Sequence, residues 1–420
     1  MGSDNQAERR RVVVTGMGAV TPLGNDACGT WQAMLSGRSG IARFTLFDPE
    51  PFAVQFGGEV KDFTPSAAMD PKQARRHDRN VHFAVKAAEE ALAQSGLNLE
   101  GELAEQVGCV CGTAVGGIRT LIDGQHVLDE RGPDRVGPFV LQHLIPDTAS
   151  GQIAISFGAK GHNLAIVSAC ATGGHSLGEA AEAIRRGDAL AMIAGGTEAC
   201  LVPLVLAGFT NMRALTSGND APEKASKPFD ARRQGFVMSE GAAMLILEDL
   251  EHAQERGAPI LAELIGYGSS NDAYDLAAPA DNGEGTVRAM QMAIRKAGIS
   301  ACEVDYINAH GTGTPLNDKF ETAAIKKVFG EHARELVVSS TKSMTGHMMG
   351  AAGAVEAMAC VRAIVDGVIP PTINYEVPDP DCDLDYAPNE ARRCDVRVAL
   401  SNSMGLGGHN SCLIFRRFEE

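Results

Sequence analysis

Three glycine-ended segments in the first half of this 420-residue sequence recur, in the same order, in its second half. LAELIGYGSS parallels the opening RVVVTGMG, VDYINAHGTGTP parallels VGCVCGTAVGG, and LVVSSTKSMTGHMMGAAGAVEA parallels NLAIVSACATGGHSLGEA. Ordered recurrence of this kind indicates two related structural units in one chain. We therefore predict two similar halves, residues 1–258 and 259–420, with the ends of equivalent strands facing each other at the centre.

Apolar runs typical of strands alternate with helix-like segments, which predicts an α/β protein with a mainly parallel sheet system covered by helices. The run Ala165 to Val167 predicts a buried strand that ends just before Cys170. TGGHSLGEAAEAIRRGD then predicts a helix closed by Gly187, and GFVMSEGAAMLILED predicts a strand hairpin with its small residues at the bend.

Charge and composition exclude several classes of protein. The formal net charge of -16 argues against nucleic-acid binding and against a membrane surface as partner. No stretch approaches eighteen consecutive apolar residues, and the polar start favours a cytoplasmic chain. The ten cysteines show no CxxC spacing, and no His/Cys cluster has zinc-ligand spacing. We therefore expect reduced cysteines and no transition metal.

Cys170 is a candidate nucleophile because a predicted helix follows it directly. Unpaired backbone N–H groups and the helix dipole favour a thiolate there, so the sulfur is expected to be nucleophilic near neutral pH. Gly173 and Gly174 allow backbone or substrate to approach closely where an ordinary helix would favour alanine. The alternative is a small buried hydrophobic residue, the usual role of a cysteine.

Two histidines in the second half are candidate partners for this sulfur. His310 follows the strand-like VDYIN, and His347 begins a long helix of small residues, with Lys342 in the preceding turn. A single histidine at a helix start is more often a cap or a buried structural residue, but two in glycine- and threonine-rich turns favour a site. His175 lies within the predicted helix and is interpreted as structural.

Two further segments allow a functional or a plain structural interpretation. The loop with Gly405, Gly407 and Gly408 can offer backbone N–H groups to an oxyanion, or it can be an ordinary hairpin turn. In DPKQARRHDRN, Asp70 is predicted to cap a helix that begins at Pro71. Its basic residues fall on one helix face, which is either a solvated surface or a landing site for an acidic partner: Lys72, Arg75, Arg76 and Arg79.

The segments VVVTGMGAVTPLG, ACATGGHS, NAHGTGTP, TKSMTGHMMGAAGAVEA and SNSMGLGGHN together resemble the β-ketoacyl-acyl carrier protein synthases, most closely the type II elongating enzymes of fatty acid synthesis. The resemblance extends from about Arg11 to Phe415. It implies the thiolase fold, with two similar α/β halves packed in five layers, and a homodimer. It also implies acyl carrier protein as partner, substrates carried on its phosphopantetheine, and no bound organic cofactor.

The resemblance also implies roles for individual residues. Cys170 matches the acyl-accepting cysteine, His310 and His347 match the two histidines that assist malonyl decarboxylation, and Lys342 matches a lysine that tunes the second histidine. Backbone N–H groups of Cys170 and Leu406 match the oxyanion hole. Thr312 and Thr314 match hydroxyls that contact the pantetheine arm. A monovalent cation is held in some members at positions that match Asn308, Glu356, Ser401 and Asn402.

The resemblance places a basic docking patch for the carrier protein at the predicted helix and at Arg213. It also shows a departure, since most elongating synthases have phenylalanine at the positions of Met404 and Leu406, where a gating loop admits the acyl chain. Two other functions stay open. One is a ketosynthase of a polyketide or specialised lipid pathway, and the other is a non-catalytic subunit that sets chain length, although such subunits lack the cysteine.

Overall fold

The computed structural model describes residues 10–74 and 76–419. The strands of the first half are β1 (Val12–Val20), β2 (Ala42–Arg43), β3 (Phe56–Gly57), β4 (Val107–Gly112), β5 (Asn163–Leu164), β6 (Ala191–Glu198) and β7 (Gly241–Asp249). Those of the second half are β8 (Ala262–Asn271), β9 (Tyr306–Asn308), β10 (Val337–Ser339), β11 (Val368–Ile369), β12 (Arg392–Arg393), β13 (Val398–Gly405) and β14 (His409–Arg416).

Helices separate most of these strands. Those of the first half are α1 (Ala27–Leu35), α2 (Pro71–Ala74), α3 (Arg79–Ser95), α4 (Leu103–Gln106), α5 (Ile118–Arg131), α6 (Val140–Leu144), α7 (Thr148–Phe157), α8 (Thr172–Arg186), α9 (Pro203–Asn211) and α10 (Leu250–Glu255). The second half has α11 (Glu284–Ala297), α12 (Pro315–Phe329), α13 (Lys342–Thr345) and α14 (Ala352–Asp366).

Within the described residues, ten strands join in the order β10-β9-β13-β14-β8-β1-β7-β6-β4-β5. Each half contributes five strands to this sheet, and both halves have the same strand order. Along the chain β1, β4, β5, β6 and β7 correspond to β8, β9, β10, β13 and β14, and the order β5-β4-β6-β7-β1 matches β10-β9-β13-β14-β8. The two halves meet where β1 pairs antiparallel with β8, at Val13 with Glu263 and at Val14 with Ala262. The repeat seen in the sequence is therefore a repeat of topology.

Helices cover both faces of the strands and also fill the space between the two halves. Helix α3 packs on β1 and β7, α11 packs on β8 and β14, and α8 and α14 contact strands of both halves. Apolar residues of all three layers of helices are buried against the strands. The arrangement confirms the expected α/β fold with two similar halves in five layers. No helix among the described residues is long and apolar enough to cross a bilayer.

Glycines set the distance between the two central helices. A Cβ on Gly173 of α8 would lie 2.6 Å from the backbone nitrogen of Ala354, and one on Gly353 of α14 would lie 2.7 Å from that of Gly174. Carbon atoms do not approach so closely, so the two helix starts pack backbone against backbone. This agrees with the sequence argument that Gly173 and Gly174 serve a close approach, and the approaching group is α14.

Three details of the sequence prediction are wrong. The sheet is mixed rather than mainly parallel, because β6, β7, β1, β8, β14 and β13 pair antiparallel in succession. The run from Ala165 to Val167 is not a buried strand, since only Asn163–Leu164 pairs with β4 and Val167 is 53% exposed. The predicted hairpin is the single strand β7, preceded by isolated bridges at Phe236 and Met238.

Candidate active site

Cys170 lies in a tight turn that leads into α8. The turn spans Ala169–Ala171, and Ala169 has a φ of 50°, which a residue with a Cβ adopts only at a cost in strain. The N–H of Ser168 donates to Thr172 Oγ1 (2.9 Å), and the N–H of Ala171 donates to the Ser168 carbonyl (3.1 Å). These contacts hold the sulfur at the start of the helix, as the sequence predicts.

His175 ties the same turn to the second half of the molecule. Its Nδ1 lies 2.7 Å from Ser168 Oγ, and its Nε2 lies 3.1 Å from Ser269 Oγ and 3.2 Å from the carbonyl of Asn410. Both ring nitrogens are therefore engaged by neighbouring side chains and backbone. The structural interpretation of His175 is confirmed.

A cavity of about 500 Å³ opens beside this turn and reaches the surface. Its walls come from both halves of the chain, because the first half supplies the sulfur and the second half supplies imidazoles and hydroxyls. The predicted site residues on its wall are Cys170, His310, His347, Thr312, Thr314, Met404, Leu406 and Arg213.

The two histidines adjoin each other at this cavity. The rings of His310 and His347 are 5.3 Å apart between centroids and nearly perpendicular, and Phe236 packs against His347 at the same distance. Burial lowers the pKa of both imidazoles well below its usual value, and the nearby Lys342 charge lowers it further. Both rings are consequently neutral at pH 7, and the N–H group of each can donate a hydrogen bond to an oxygen that gains negative charge.

Lys342 is fully buried behind the histidines and forms an ion pair with Glu356. Burial raises the pKa of Glu356 to about 7, although the Lys342 ammonium acts in the opposite direction. After burial, the Lys342 charge is the next largest cause that lowers the pKa of both imidazoles. Its position agrees with a role in tuning them.

The Cys170 thiol differs from the expected thiolate. Burial raises its pKa to about 12, while the Lys342 charge and a hydrogen bond from the Leu406 N–H act to lower it. Burial outweighs these two contacts, so the resting group at neutral pH is the thiol. The attacking sulfur must therefore lose its proton during the transfer itself.

The hairpin between β13 and β14 lies across the Cys170 turn. A Cβ on Gly405 would be 3.0 Å from the Cys170 nitrogen and 2.7 Å from the Ser168 carbonyl, so only glycine fits there. The next residue, Leu406, directs its N–H at the sulfur and is 38% exposed at the rim of the cavity. Met404 accepts a hydrogen bond from the Thr286 hydroxyl through its sulfur (2.8 Å).

The four residues predicted to hold a cation form a buried polar cluster. Asn308 and Ser401 are direct neighbours in the β9 and β13 register, and Asn402 follows Ser401. Glu356 is connected to them through Glu321, whose charge acts on Glu356 and whose carboxylate lies near Asn402. Within the described part of the chain, Ser401 Oγ, Asn402 Oδ1 and Glu356 Oε2 are buried without a hydrogen-bond partner. Such acceptor oxygens beside carboxylates fit a monovalent cation, because they offer oxygen ligands and negative charge.

Glu321 belongs to the same cluster and the sequence analysis missed it. Its carboxylate accepts the N–H groups of His310 and Gly311, both at 2.8 Å, and lies 3.4 Å from Asn402 Nδ2. Burial raises its pKa to about 7. In the sequence it is one acidic residue in a helix, which ordinarily indicates a solvated face.

Glu198 was missed as well, at the end of β6. The carboxylate accepts the N–H groups of Ala114 (2.7 Å) and Gly350 (3.2 Å) and the Thr113 hydroxyl (2.9 Å). It joins the first half to the turn behind His347. A charged residue closing an apolar strand was the available signal.

The predicted basic helix is interrupted. Asp70 caps α2, as expected, by accepting the Lys72 N–H (2.8 Å), but α2 ends at Ala74, and Asp78 caps a new helix at Arg79. The prediction of four basic residues on one helix face is therefore wrong.

The docking candidates consequently have different environments. Arg79 pairs with the buried Glu240 (2.9 Å), so its charge is already engaged inside the protein. Lys72 and Arg213 are exposed, and the exposed Arg76 guanidinium lies 4.6 Å above the Phe139 ring. Arg75 lies outside the described residues.

Comparison with protein families gives two adjoining matches. The family described as "Beta-ketoacyl synthase, N-terminal domain" matches residues 9–253, and "Beta-ketoacyl synthase, C-terminal domain" matches residues 261–376. Among curated relatives, "3-oxoacyl-[acyl-carrier-protein] synthase 2" of Synechocystis sp. is 49% identical over 412 residues, covering 98% of this chain and 99% of the relative. Its namesake from Staphylococcus aureus is 50% identical over 413 residues, covering 98% and 100%.

Solved structures give similar chains with lower identity. A type II polyketide ketosynthase in complex with its acyl-carrier protein (AntDE:AntF) matches with a TM-score of 0.91 at 35% identity. The ishigamide ketosynthase/chain length factor matches with a TM-score of 0.92 at 36% identity. Each match covers 98% of this chain and 100% of the other.

Proposed function

Because the chain belongs to the β-ketoacyl synthase family, we propose that it is a 3-oxoacyl-acyl carrier protein synthase that elongates fatty acyl chains by two carbons. The observation that carries this proposal is the convergence of one thiol and two neutral imidazoles on a single cavity. Cys170 comes from the first half, and His310 and His347 come from the second. A thiol alone would support acyl transfer, and the imidazoles add a place for a developing enolate.

The first step is transfer of an acyl group to Cys170. The sulfur attacks the thioester carbonyl, the bond to the pantetheine sulfur breaks, and the thiol proton ends on the departing pantetheine. The tetrahedral oxyanion is within reach of the backbone N–H groups of Cys170 and Leu406. The Leu406 N–H already donates to the sulfur, which supports this assignment.

The second step uses the histidines. Malonyl-acyl carrier protein loses carbon dioxide when its carboxylate carbon–carbon bond breaks, and the electron pair forms an enolate on the thioester. N–H groups of His310 and His347 stabilise the negative charge on the enolate oxygen, because each neutral imidazole keeps one N–H that can donate a hydrogen bond to it. The enolate carbon then attacks the acyl-Cys170 carbonyl, and the carbon–sulfur bond breaks to release the 3-oxoacyl product. The departing Cys170 thiolate takes up a proton from solvent, which restores the thiol.

Substrate delivery is assigned to the mouth of the cavity. The hydroxyls of Thr312 and Thr314 lie 3.0 Å apart on its wall and suit the amides of a pantetheine arm. Exposed Lys72, Arg76 and Arg213 are the proposed landing site for the acidic carrier protein, and the complex of a similar ketosynthase with its acyl-carrier protein supports such a partner. Arg79 is removed from this set because Glu240 engages it.

A monovalent cation is proposed at the buried cluster of Asn308, Glu321, Glu356, Ser401 and Asn402. Its charge would satisfy the unpaired acceptor oxygens and stabilise the ionised form of both carboxylates. Since Glu321 holds the backbone of His310, the cluster would fix that histidine in place. We assign no organic cofactor to the chain.

A homodimer in the cytoplasm is part of the same proposal. The exposed apolar side chains of Leu164 (48%) and Val167 (53%) adjoin the free edge of β5, where a second copy would pair. All ten cysteines lie in the described residues as free thiols, which suits a reducing compartment.

Intact mass spectrometry after incubation with acyl-loaded carrier protein tests the proposal. The chain should gain one acyl group, and the Cys170→Ala variant should gain none, while a Cys302→Ser variant at an exposed thiol serves as the matched control. Absence of an acyl adduct on the wild-type chain would refute the enzyme and favour a subunit that only sets chain length.

A polyketide ketosynthase is the second candidate because the ketosynthase of a type II polyketide system, in complex with its acyl-carrier protein, matches over 98% of this chain. Identity favours fatty acid elongation, at 49–50% against 35%. Competition between saturated acyl and β-keto primers on the carrier protein distinguishes the fatty acid function from the polyketide function. Preference for β-keto primers would overturn the fatty acid assignment.

A further inference from the structure

The loop that carries Thr312 and Thr314 leads into α12 without a threonine side chain that caps the helix. Gly313 between the two threonines has a φ of 80°, in the left-handed region. Thr314 occupies the cap position of α12, yet its hydroxyl contacts Thr312 instead of capping the helix. The Thr314 hydroxyl therefore leaves the first N–H groups of α12 uncapped, and contacts with other residues bear on how this loop is held.

Arg233 supplies such contacts from behind the loop. Its Nε donates to the Thr314 carbonyl (3.3 Å) and its Nη2 donates to the Pro315 carbonyl (3.0 Å). Its Nη1 donates to the Asp230 carbonyl (3.1 Å) and forms an ion pair with Asp379. Only 5% of the side chain is exposed, while the next residue, Gln234, lines the cavity.

Asp318 completes the clamp from the first turn of α12. It is fully buried, and its carboxylate accepts the N–H groups of Phe229 (2.8 Å) and Gly313 (3.2 Å), while Arg233 Nε lies 3.7 Å away. The carbonyl of Thr314 thus faces the guanidinium, and the N–H of Gly313 faces the carboxylate. The peptide group between Thr312 and Gly313 and the peptide group after Thr314 are therefore held by one buried ion pair.

We propose that Arg233 is a positioning residue that orients the Thr312 and Thr314 hydroxyls to bind the pantetheine arm of the substrate. The proposal rests on the function proposed above. A planar guanidinium can bond to the Thr314 and Pro315 carbonyls and to the Asp379 carboxylate together, whereas a lysine ammonium at the end of a flexible stem cannot match those directions. Lysine at this position should therefore keep the charge and lose the orientation.

The test compares two electrophiles that alkylate Cys170. Chloroacetyl-pantetheine uses the arm-binding site, and iodoacetamide does not. We expect Arg233→Lys to lower the alkylation rate constant for chloroacetyl-pantetheine about tenfold while that for iodoacetamide stays within about twofold. Arg232→Lys is the matched control, because its neighbouring guanidinium is 42% exposed and pairs with Asp230 and Glu376.

A double-mutant cycle with Thr314→Val shows whether Arg233 acts through the hydroxyl. If it does, the double variant loses no more rate than the larger single change, whereas independent effects multiply. Asp379→Asn is the milder second variant if Arg233→Lys does not fold, with a smaller loss in the same direction. The proposal would be overturned if the rate losses of the two single variants multiply in the double variant. It would also be overturned if Arg233→Lys slows alkylation by both electrophiles equally, or if the wild type shows no preference for chloroacetyl-pantetheine.

Condensation by the wild type is measured separately on malonyl-acyl carrier protein. Failure of that reaction would refute the proposed function but not the role of Arg233. The ratio of the alkylation rate constants for the two electrophiles can be measured without any condensation. In the steady state, Arg233→Lys should raise KM for malonyl-acyl carrier protein more than it lowers kcat, which a loss of folded protein would not do.

Discussion

The two outer strands of the ten-stranded sheet occupy equivalent places in the repeat but have different surroundings. At one end, β10 is buried, and the Val338 N–H donates to the Asp385 carbonyl (2.8 Å) of a later segment of the same chain. At the other end, both residues of β5 are exposed, and Leu164 and the following Val167 present apolar side chains to solvent. One half covers its own edge, and the other half leaves an apolar edge open.

The same asymmetry divides the chemistry. The turn after β5 presents the Cys170 thiol at the start of α8, while the turn after β10 presents His347 before α14. The duplicated half-fold therefore brings one thiol and two imidazoles together from opposite sides of a single cavity. In the proposed reaction, one half attaches the acyl group covalently and the other stabilises negative charge.

The largest expected effect comes from removing the group that is unique to the first half. Cys170→Ala should abolish condensation, a loss of at least about 1000-fold, because no acyl-enzyme can form. Decarboxylation of malonyl-acyl carrier protein should continue, since the histidines remain, and carbon dioxide release measures it. Loss of both reactions together would show that the two halves do not divide the chemistry in this way.

The reciprocal change removes one imidazole of the second half. His347→Ala should slow malonyl decarboxylation about 100-fold, as expected for loss of one donor to a developing oxyanion. Acylation of Cys170, followed by intact mass, should change by only about threefold, because its oxyanion uses backbone N–H groups. The exposed His126→Ala is the control, and a comparable loss in acylation would contradict the division.

A charge at the open edge should weaken assembly. Val167→Lys is expected to raise the dissociation constant of the proposed homodimer at least about tenfold, because it places an ammonium in an apolar interface. Sedimentation velocity across a concentration series measures it. Val365→Lys, at a valine of similar exposure (45%) on α14, is the control. An equal change in the dissociation constant for both variants would show that β5 is not part of the interface.

The buried carboxylates of the second half predict how stability depends on pH. The pKa of Glu321 and Glu356 is about 7 in the folded chain, above the ordinary value of 4.5. As pH rises from 4.5 to 7 the unfolded state loses these protons first, so the folded state loses stability across that window. A bound cation should lower both pKa values and restore stability, by about 1 to 3 kcal/mol at pH 8.

Thermal unfolding between pH 5 and 8, with potassium or sodium against choline as the only cation, measures this effect. Stabilisation by the small cations should grow as pH rises. Asn308→Ala should reduce the difference between the salts, whereas Asn25→Ala, outside the cluster, should leave it unchanged. The same response to all three cations would exclude the site.

The smallest effect is expected at the hairpin that covers the Cys170 turn. Leu406→Phe should change the preference between short and long acyl primers by about threefold, because the larger ring buries more area at the rim and can stack. The decarboxylation rate should change less, since the N–H of residue 406 stays in place. Condensation rates with a set of acyl primers of increasing length measure this preference. An unchanged preference would show that Leu406 does not influence the selection of acyl length.

The sequence predicts the fold and the central site well because both depend on local patterns. The repeat, the helix after Cys170 and its closing Gly187 are confirmed, since strand-ending glycines and helix caps are encoded by neighbouring residues. Residues at equivalent strand ends of two similar halves must meet, which is why Cys170, His310 and His347 could be grouped before the structure was known.

The parts that depend on distant partners could not be predicted. Arg79 is 161 residues from Glu240 in the chain, so the local basic pattern gave no sign of their pairing. The apolar run before Cys170 gave no sign that it lies at a sheet edge, because burial there depends on another segment or another copy. Glu321 and Arg233 are ordinary charged residues in sequence and acquire their roles only when the His310 and Thr314 loops pack against them.

The backbone contact between α8 and α14 has a consequence for how such an enzyme can be altered. The separation between the starts of these two helices is set by the thickness of two peptide chains, because no side chain lies between Gly173 and Ala354 or between Gly353 and Gly174 that could be exchanged for a longer or shorter one. Engineering can therefore reshape the rim and the mouth of the cavity, where Leu406 and Arg213 lie, while the spacing between these two helix starts stays constant.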